Sequence, residues 1–285
     1  MSQPWVDDLA YSMRRRCVDE FLTRRMAALP AGTRLLDVGG YPGPQRGKFD
    51  AGTLPVGRVT VNIARSRRPH VLADALALPF RDASFGAALV SEVLEHVPEP
   101  GVVLEQVARV LEPRGVLVVT VPFMFPVHGD PEDHGRYTEF AWRRMLPAAG
   151  FRVEAIERQG RFFTVLADML RAWAAHGIRG AHPWTRLKRG AVSRMARWLR
   201  ARAAHWDGGD GDGGDGDGRA GHGRASDARD RDARDGDARD GDAGDAAGAK
   251  GVGAEGGGEQ RAGDRGAPAE LAGYTTGYGI VAVRT

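Results

Sequence analysis

Cysteine is all but missing. Cys17 is the one thiol in 285 residues, so no internal disulfide can form and a metal site has no cysteine pair to build on. Cys17 reads as a small side chain on an N-terminal helix. Long apolar runs are missing too. No stretch approaches the roughly 20 apolar residues needed to span a bilayer, and no leading segment has the basic-then-apolar pattern of a signal peptide. A soluble, cytoplasmic protein is the expectation. Strong charge of one sign is also absent. Forty basic against 37 acidic residues leave a net charge of +3, which does not call for a nucleic-acid partner.

The length suffices for one sizeable α/β domain with appendages. Residues 1–30 read as a helical lead-in. Val18, Phe21, Leu22, Met26 and Leu29 recur at near-helical spacing until Pro30 and Gly32 stop the pattern. Over residues 31–160 apolar runs alternate with helical or turn segments. Arg34–Val38, Val59–Ile63, Ala87–Val90 and Val116–Val121 read as strands, with a minor one at Val71–Ala73. Val102–Leu111 and Glu139–Ala149 read as helices. The near-continuous apolar run Val116–Val121 suits a strand buried on both faces of a parallel sheet. Phe151–Ile156 alternates apolar and polar residues, as an edge strand would.

Residues 161–206 change character. Two basic amphipathic helices are predicted, broken near Gly177–Pro183. One apolar face runs Val165, Leu166, Met169, Leu170, Trp173; the other runs Val192, Met195, Trp198, Leu199. From Arg171 to Arg202 there are nine Lys and Arg residues and no acid. Such helices can be a solvated face packed on the domain, a lid over a substrate, or a weak peripheral contact with membrane, lipid or nucleic acid. Residues 207–268 are a Gly, Asp, Ala and Arg low-complexity stretch with almost nothing to bury, and disorder is expected there. Residues 269–285 return to an apolar run, Tyr278–Val283. The low-complexity stretch is therefore an insertion before a final strand.

The chemistry begins at Asp37-Val38-Gly39-Gly40-Tyr41-Pro42-Gly43. A glycine turn closing a strand lets backbone approach a ligand, and ligands of open α/β sheets bind at the carboxyl ends of strands. Downstream come Asp74-Ala75-Leu76-Ala77-Leu78-Pro79-Phe80, Ser91-Glu92-Val93-Leu94-Glu95-His96-Val97, and Arg109-Val110-Leu111-Glu112-Pro113-Arg114-Gly115. This series, in this order, resembles class I S-adenosylmethionine-dependent methyltransferases of the small-molecule type 11 group, over about residues 30–157 and the last strand. The resemblance implies a Rossmann-like α/β fold: a seven-stranded, mostly parallel sheet with helices on both faces and an antiparallel last strand. It also implies roles. Asp37, Gly39, Gly40 and Gly43 match the turn around the amino-acid end of S-adenosylmethionine. Asn62 stands where the family usually has a ribose-binding acid. Asp74, with Ala75 and Leu76, matches the adenine site. Ser91 and Glu92 match the turn where cofactor and acceptor meet, and Glu95-His96 reads as a capping or bracing pair. On this comparison Asn62→Asp should retain or tighten S-adenosylmethionine binding. Tyr41 takes the place of the usual middle glycine, and the helix after the turn looks short or irregular.

Pro122 to Thr138 follows the fifth strand, on the side where an acceptor should lie. It resembles the His…Pro-x-Asp-x-x-Arg-Tyr-Thr loop of methyltransferases that modify sugars and natural products. An alcohol acceptor needs a general base, and His128 and His134 can serve near neutral pH. Asp133 could orient a histidine. Equally, Asp133 and Arg136 could form an ion pair that shapes the loop, with Thr138 capping the next helix. A metal held by His128, Asp130, Asp133 and His134 is chemically allowed, yet none is expected. The expected activity is methyl transfer to a small molecule, with a sugar or secondary-metabolite hydroxyl as the leading acceptor. A non-catalytic cofactor-binding module and an RNA methyltransferase are the alternatives. Oligomeric state is left open.

Overall fold

The computed structural model describes residues 9–42, 47–129, 132–179, 182–207 and 273–285. Gly43, Asp130 and the low-complexity residues 208–268 lie outside them, and with these the expectation of disorder.

Helix α1 (Met13–Met26) precedes strand β1 (Arg34–Val38). Next come β2 (Gly57–Asn62), the short β3 (Val71–Leu72) and β4 (Phe85–Ser91). Helix α2 (Pro100–Val110) leads directly into β5 (Leu111–Pro122). Then follow α3 (Glu139–Ala148), β6 (Phe151–Gln159), α4 (Phe162–Ala172), α5 (Pro183–Trp206) and β7 (Gly277–Arg284). The seven strands lie in the order β3-β2-β1-β4-β5-β7-β6. Pairings are parallel from β3 through β5. Strand β7 is antiparallel to both neighbours and sits between β5 and the edge strand β6.

Alternation along the central strands sorts the core into two layers. Leu36, Val38, Ala88, Val90, Leu117 and Val119 point toward α2 and α3, where they meet Val103, Leu104, Val107, Trp142 and Leu146. Leu35, Ala87, Leu89 and Val118 point the other way and pack on Val18, Phe21, Leu22 and Met26 of α1. Burial on both faces is why these strands read as continuous apolar runs rather than alternating ones. Strand β5 opens earlier than its apolar run suggests. A register shift between Phe85 and Ala87 lets Leu111 pair before the chain straightens at Val116.

The segment after the glycine turn holds a single 3-10 turn, Ala51–Thr53, and no α-helix among its described residues. The pair α4–α5 packs on α1 through a small cluster of Met13, Ala167, Leu199 and Ala203. Here the expected apolar faces need correcting in part. Met169, Trp173, Met195 and Trp198 are each about half exposed. The inward faces close on Val165 and Leu199, as expected, together with the small residues Ala167, Ala196 and Ala203, and Leu166 and Leu170 pack against them. Asp207, placed by sequence in the low-complexity stretch, is anchored at the start of α4. Its carboxylate accepts from the Phe163 (3.1 Å) and Thr164 (2.8 Å) backbone N–H groups.

Candidate cofactor and acceptor site

The carboxyl ends of β1, β2 and β4 open on a cavity of about 460 Å³. Apart from Gly43, every residue assigned by sequence to the cofactor lines it: Asp37, Gly39, Gly40, Asn62, Asp74, Ala75, Leu76, Ser91 and Glu92. His128 and His134 line it too.

The glycine turn is built by what surrounds it. Gly39 has φ +77, and a Cβ there would drive into Val93 Cγ2. A Cβ on Gly40 would strike the Asp37 carboxylate. That carboxylate is buried and faces Arg58, whose Nε donates to Oδ2 at 2.9 Å while an Nη donates to the Tyr41 carbonyl at 3.1 Å. Asp37 therefore braces the turn through Arg58. Asn62 does similar work. Its Oδ1 accepts from Ala64 N–H at 2.8 Å, which fixes the amide orientation, and its Nδ2 donates to the Gly39 carbonyl at 2.6 Å. Both polar atoms of Asn62 are committed to backbone. Asp74 Oδ1 takes the Leu76 N–H at 2.9 Å and caps the 3-10 turn Ala75–Ala77.

The opposite wall is strained and charged. Glu92 sits at φ +57, rare for a residue with a side chain. It is held there by Arg14, which reaches in from α1 with two contacts of 2.9 and 2.6 Å. Burial pushes the Glu92 pKa up, but Arg14 outweighs it and keeps the carboxyl below its ordinary value. Arg14 is 3% exposed, its guanidinium 5.4 Å from the Phe125 ring centre. Its place on α1 is fixed by Asp168 of α4, whose carboxylate accepts from the Met13 and Arg14 backbone N–H groups at 2.9 and 2.8 Å. Arg14 was not singled out by sequence. The available signal was a cation on the same helical face as Val18, Phe21 and Leu22. Ile63, 65% exposed at the cavity rim, was missed as well.

The acceptor loop meets the turn after β4. Asp133 does not line the cavity; it lies behind His128, where it could orient the ring. Its carboxylate is bound by Arg136 and takes the His128 N–H at 2.8 Å. Hydrogen bonding from Arg136 holds its pKa well below the usual carboxylate range. Asp133 positions His128, whose Nδ1 lies 3.3 Å from Asp133 Oδ2 and 3.2 Å from the Pro126 carbonyl. Thr138 caps α3. His134 places Nε2 3.0 Å from Glu132 and donates its N–H to the Glu95 carbonyl at 2.7 Å. The Glu95 side chain is 1% exposed. Burial first, and the Glu92 charge second, push its pKa up to about 8.

Residues 57–119 match the family model described as a methyltransferase domain. The matched stretch runs from β2 into β5, so the chain resembles methyltransferases across the middle of its sheet. A demethylmenaquinone methyltransferase of Renibacterium salmoninarum is 35% identical over 156 residues, 52% of this chain and 62% of that protein. The namesake from Paenarthrobacter aurescens is 37% identical over 128 residues, 44% of this chain and 45% of that one. The chain thus aligns with less than two thirds of either relative. Among solved structures, phosphoethanolamine N-methyltransferase 2 of Haemonchus contortus, in complex with S-adenosylmethionine, overlays with a TM-score of 0.43 at 15% identity, covering 65% of this chain and 49% of that one. The cavity has a donor set that suits S-adenosylmethionine. A glycine turn admits close backbone approach, Ile63, Ala75 and Leu76 offer apolar walls beside the Asp74 carboxylate, and polar groups gather toward Glu92.

Proposed function

We propose that the protein transfers the methyl group of S-adenosylmethionine to a hydroxyl of a small molecule, of the sugar or secondary-metabolite kind. The observation that carries this reading is that the glycine turn, Asp74 and two histidines wall a single cavity. S-adenosylmethionine, when bound, supplies a methyl group on an electrophilic sulfonium. The chain supplies position, a dry wall and a place for the proton. Gly39 and Gly40 hold the amino-acid end through backbone, and Asp74 with Leu76 holds the base. Arg14 keeps Glu92 ionised and fixed beside Ser91. His128, steered by Asp133, takes the acceptor's proton at Nε2, because Nδ1 faces two acceptor oxygens and carries the ring proton.

Calorimetry with S-adenosylhomocysteine, then methyl-release assays on a panel of hydroxylated acceptors, tests the reading. Turnover on a hydroxyl that falls at least tenfold in His128→Ala while S-adenosylhomocysteine affinity holds is the expected result. Tight cofactor binding with no turnover on any acceptor would make this a binding module. Salt-steep binding and methylation of RNA would make it an RNA enzyme.

A second observation bears on location. Trp173, Trp184, Leu187, Met195 and Trp198 are exposed on the α4–α5 segment among the acid-free run of basic residues. We infer a weak peripheral contact with anionic membrane through residues 162–206. Co-sedimentation with phosphatidylglycerol vesicles, lost with phosphatidylcholine alone and in Trp184→Ala/Trp198→Ala, is expected. Equal sedimentation with both lipids would refute it.

A further inference from the structure

Beside the cavity lies a cluster of which the methyl-transfer reading uses only His128. Neither carboxylate oxygen of Glu95 has a hydrogen-bond partner among the described residues. A buried carboxylate without donors is a costly arrangement in a folded chain. The two nearby cations, Arg14 and Arg136, offset its burial only in part and pair with Glu92 and Asp133 instead. His96 stands beside it, with Nε2 3.6 Å from Glu95 Oε1.

The histidine tautomers decide what that carboxylate faces. His96 Nδ1 is 2.6 Å from the Glu132 carbonyl, which can only accept. His96 therefore carries its proton on Nδ1 and turns a lone pair on Nε2 toward Glu95. His128 has the same logic. Its Nδ1 lies near the Pro126 carbonyl and the Asp133 carboxylate, both acceptors. The two rings meet edge to face, 5.0 Å between centres. Two histidine rings and an undonated carboxyl group thus converge from the turn after β4 and from the acceptor loop, with His96 presenting Nε2 to Glu95. Their ligand atoms lie within 4.8 Å of one another. Around one ion at bond lengths near 2.1 Å they would stand about 3.0–3.4 Å apart, a closure that side-chain rotation can provide. A carbonyl or carboxylate behind each ring nitrogen is the outer support that metal-bound histidines use.

We propose that Glu95, His96 and His128 form a binding site for a divalent transition-metal ion of the Zn²⁺, Fe²⁺ or Mn²⁺ class. Two nitrogens and one carboxylate oxygen leave coordination positions open. Both histidines line the cavity, so the open positions face the acceptor side. An ion there would occupy the His128 lone pair and so replace its part as proton acceptor: it takes up an acceptor oxygen and lowers the pKa of its hydroxyl, whose proton passes to water, a Lewis-acid role. The site itself stands independently of the methyl-transfer reading; only this use of it rests on that reading. It also departs from the metal-free expectation drawn from sequence, which considered His128 with Asp130, Asp133 and His134 instead.

The test uses the full chain, stripped with chelator and titrated with Zn²⁺ and Mn²⁺ by calorimetry, with bound metal counted by mass spectrometry. Co²⁺ loading adds a visible spectrum that reports the ligands. One ion per chain is expected, with affinity falling at least tenfold in Glu95→Gln and in His128→Ala, and unchanged in the exposed-residue control His205→Ala. S-adenosylhomocysteine binding, measured on each variant, separates loss of metal from loss of fold. If Glu95→Gln does not fold, His128→Ala, a loop substitution, reads the same question. No saturable binding, or binding indifferent to both substitutions, would overturn the site. Metal binding with no effect on turnover would leave the site standing and remove its Lewis-acid use.

Discussion

Replacing Asn62 by Asp perturbs one atom of the cofactor cavity and leaves its shape alone. The amide Nδ2 donates to the Gly39 carbonyl at 2.6 Å, while Oδ1 accepts from Ala64 N–H. Aspartate keeps the second bond, strengthened by charge, and loses the first. Worse, it sets a carboxylate oxygen against a carbonyl oxygen at the residue whose positive φ shapes the turn. Leaving a half-buried acceptor unpaired costs about 1–3 kcal/mol, and the charge-assisted gain at Ala64 returns roughly 1 kcal/mol. The net, about 0–2 kcal/mol before the repulsion between the two oxygens is added, falls on the geometry of Gly39–Gly40, so S-adenosylhomocysteine should bind more weakly, by up to about 30-fold. Calorimetry on Asn62→Asp and wild type, with thermal melts to confirm folding, reads this directly. Comparison with the family's usual acid gives the opposite sign, because it assumes the side chain faces the ribose. Unchanged or tighter binding would therefore show that the aspartate turns to the ligand, and would refute the bracing role.

Gly39→Ala joins a positive φ to a clash with Val93; it should lower stability by about 1–3 kcal/mol in urea unfolding and impair S-adenosylhomocysteine binding with it. Glu92→Gln leaves the buried Arg14 without its counter-ion and should cost about 3–5 kcal/mol near neutral pH. Since Arg14 holds the Glu92 pKa below its unfolded value, the charge-dependent part of this stabilisation is complete above the ordinary carboxylate range. It is lost as pH falls through the lower folded value. Urea midpoints of the two proteins should converge in acid, and a pH-independent gap would contradict the assignment. Burial pushes the Cys17 thiol up to about 12, so iodoacetamide near neutral pH should label the native chain far more slowly than the urea-unfolded one. Equal rates would place Cys17 at the surface.

Much of the sheet is legible because its strands are buried on both faces: Leu35–Val38, Ala87–Val90 and Val116–Val121 announce themselves as apolar runs. The glycine turn and Asp74 are legible because backbone geometry demands those residue types nearby in the chain. What escapes is whatever depends on partners far along it. Arg14 meets Glu92 across 78 residues, and nothing local marks the encounter except a cation on an apolar face. His96 and His128 acquire their lone-pair directions from carbonyls of Glu132 and Pro126, which no side-chain motif encodes. Met195 and Trp198 look like core at helical spacing, yet Leu199 and alanines fill the interface and leave them outside.

Asp168 gives the cavity a place in time. It grips the first turn of α1 from 155 residues downstream, and that turn carries Arg14 to Glu92. A nascent chain that has made the glycine turn, Asp74 and β4 still lacks the carboxylate that sets Arg14. A chain stopped at Gly160 would have neither Asp168 to hold that turn nor β7, the strand that joins β6 to β5.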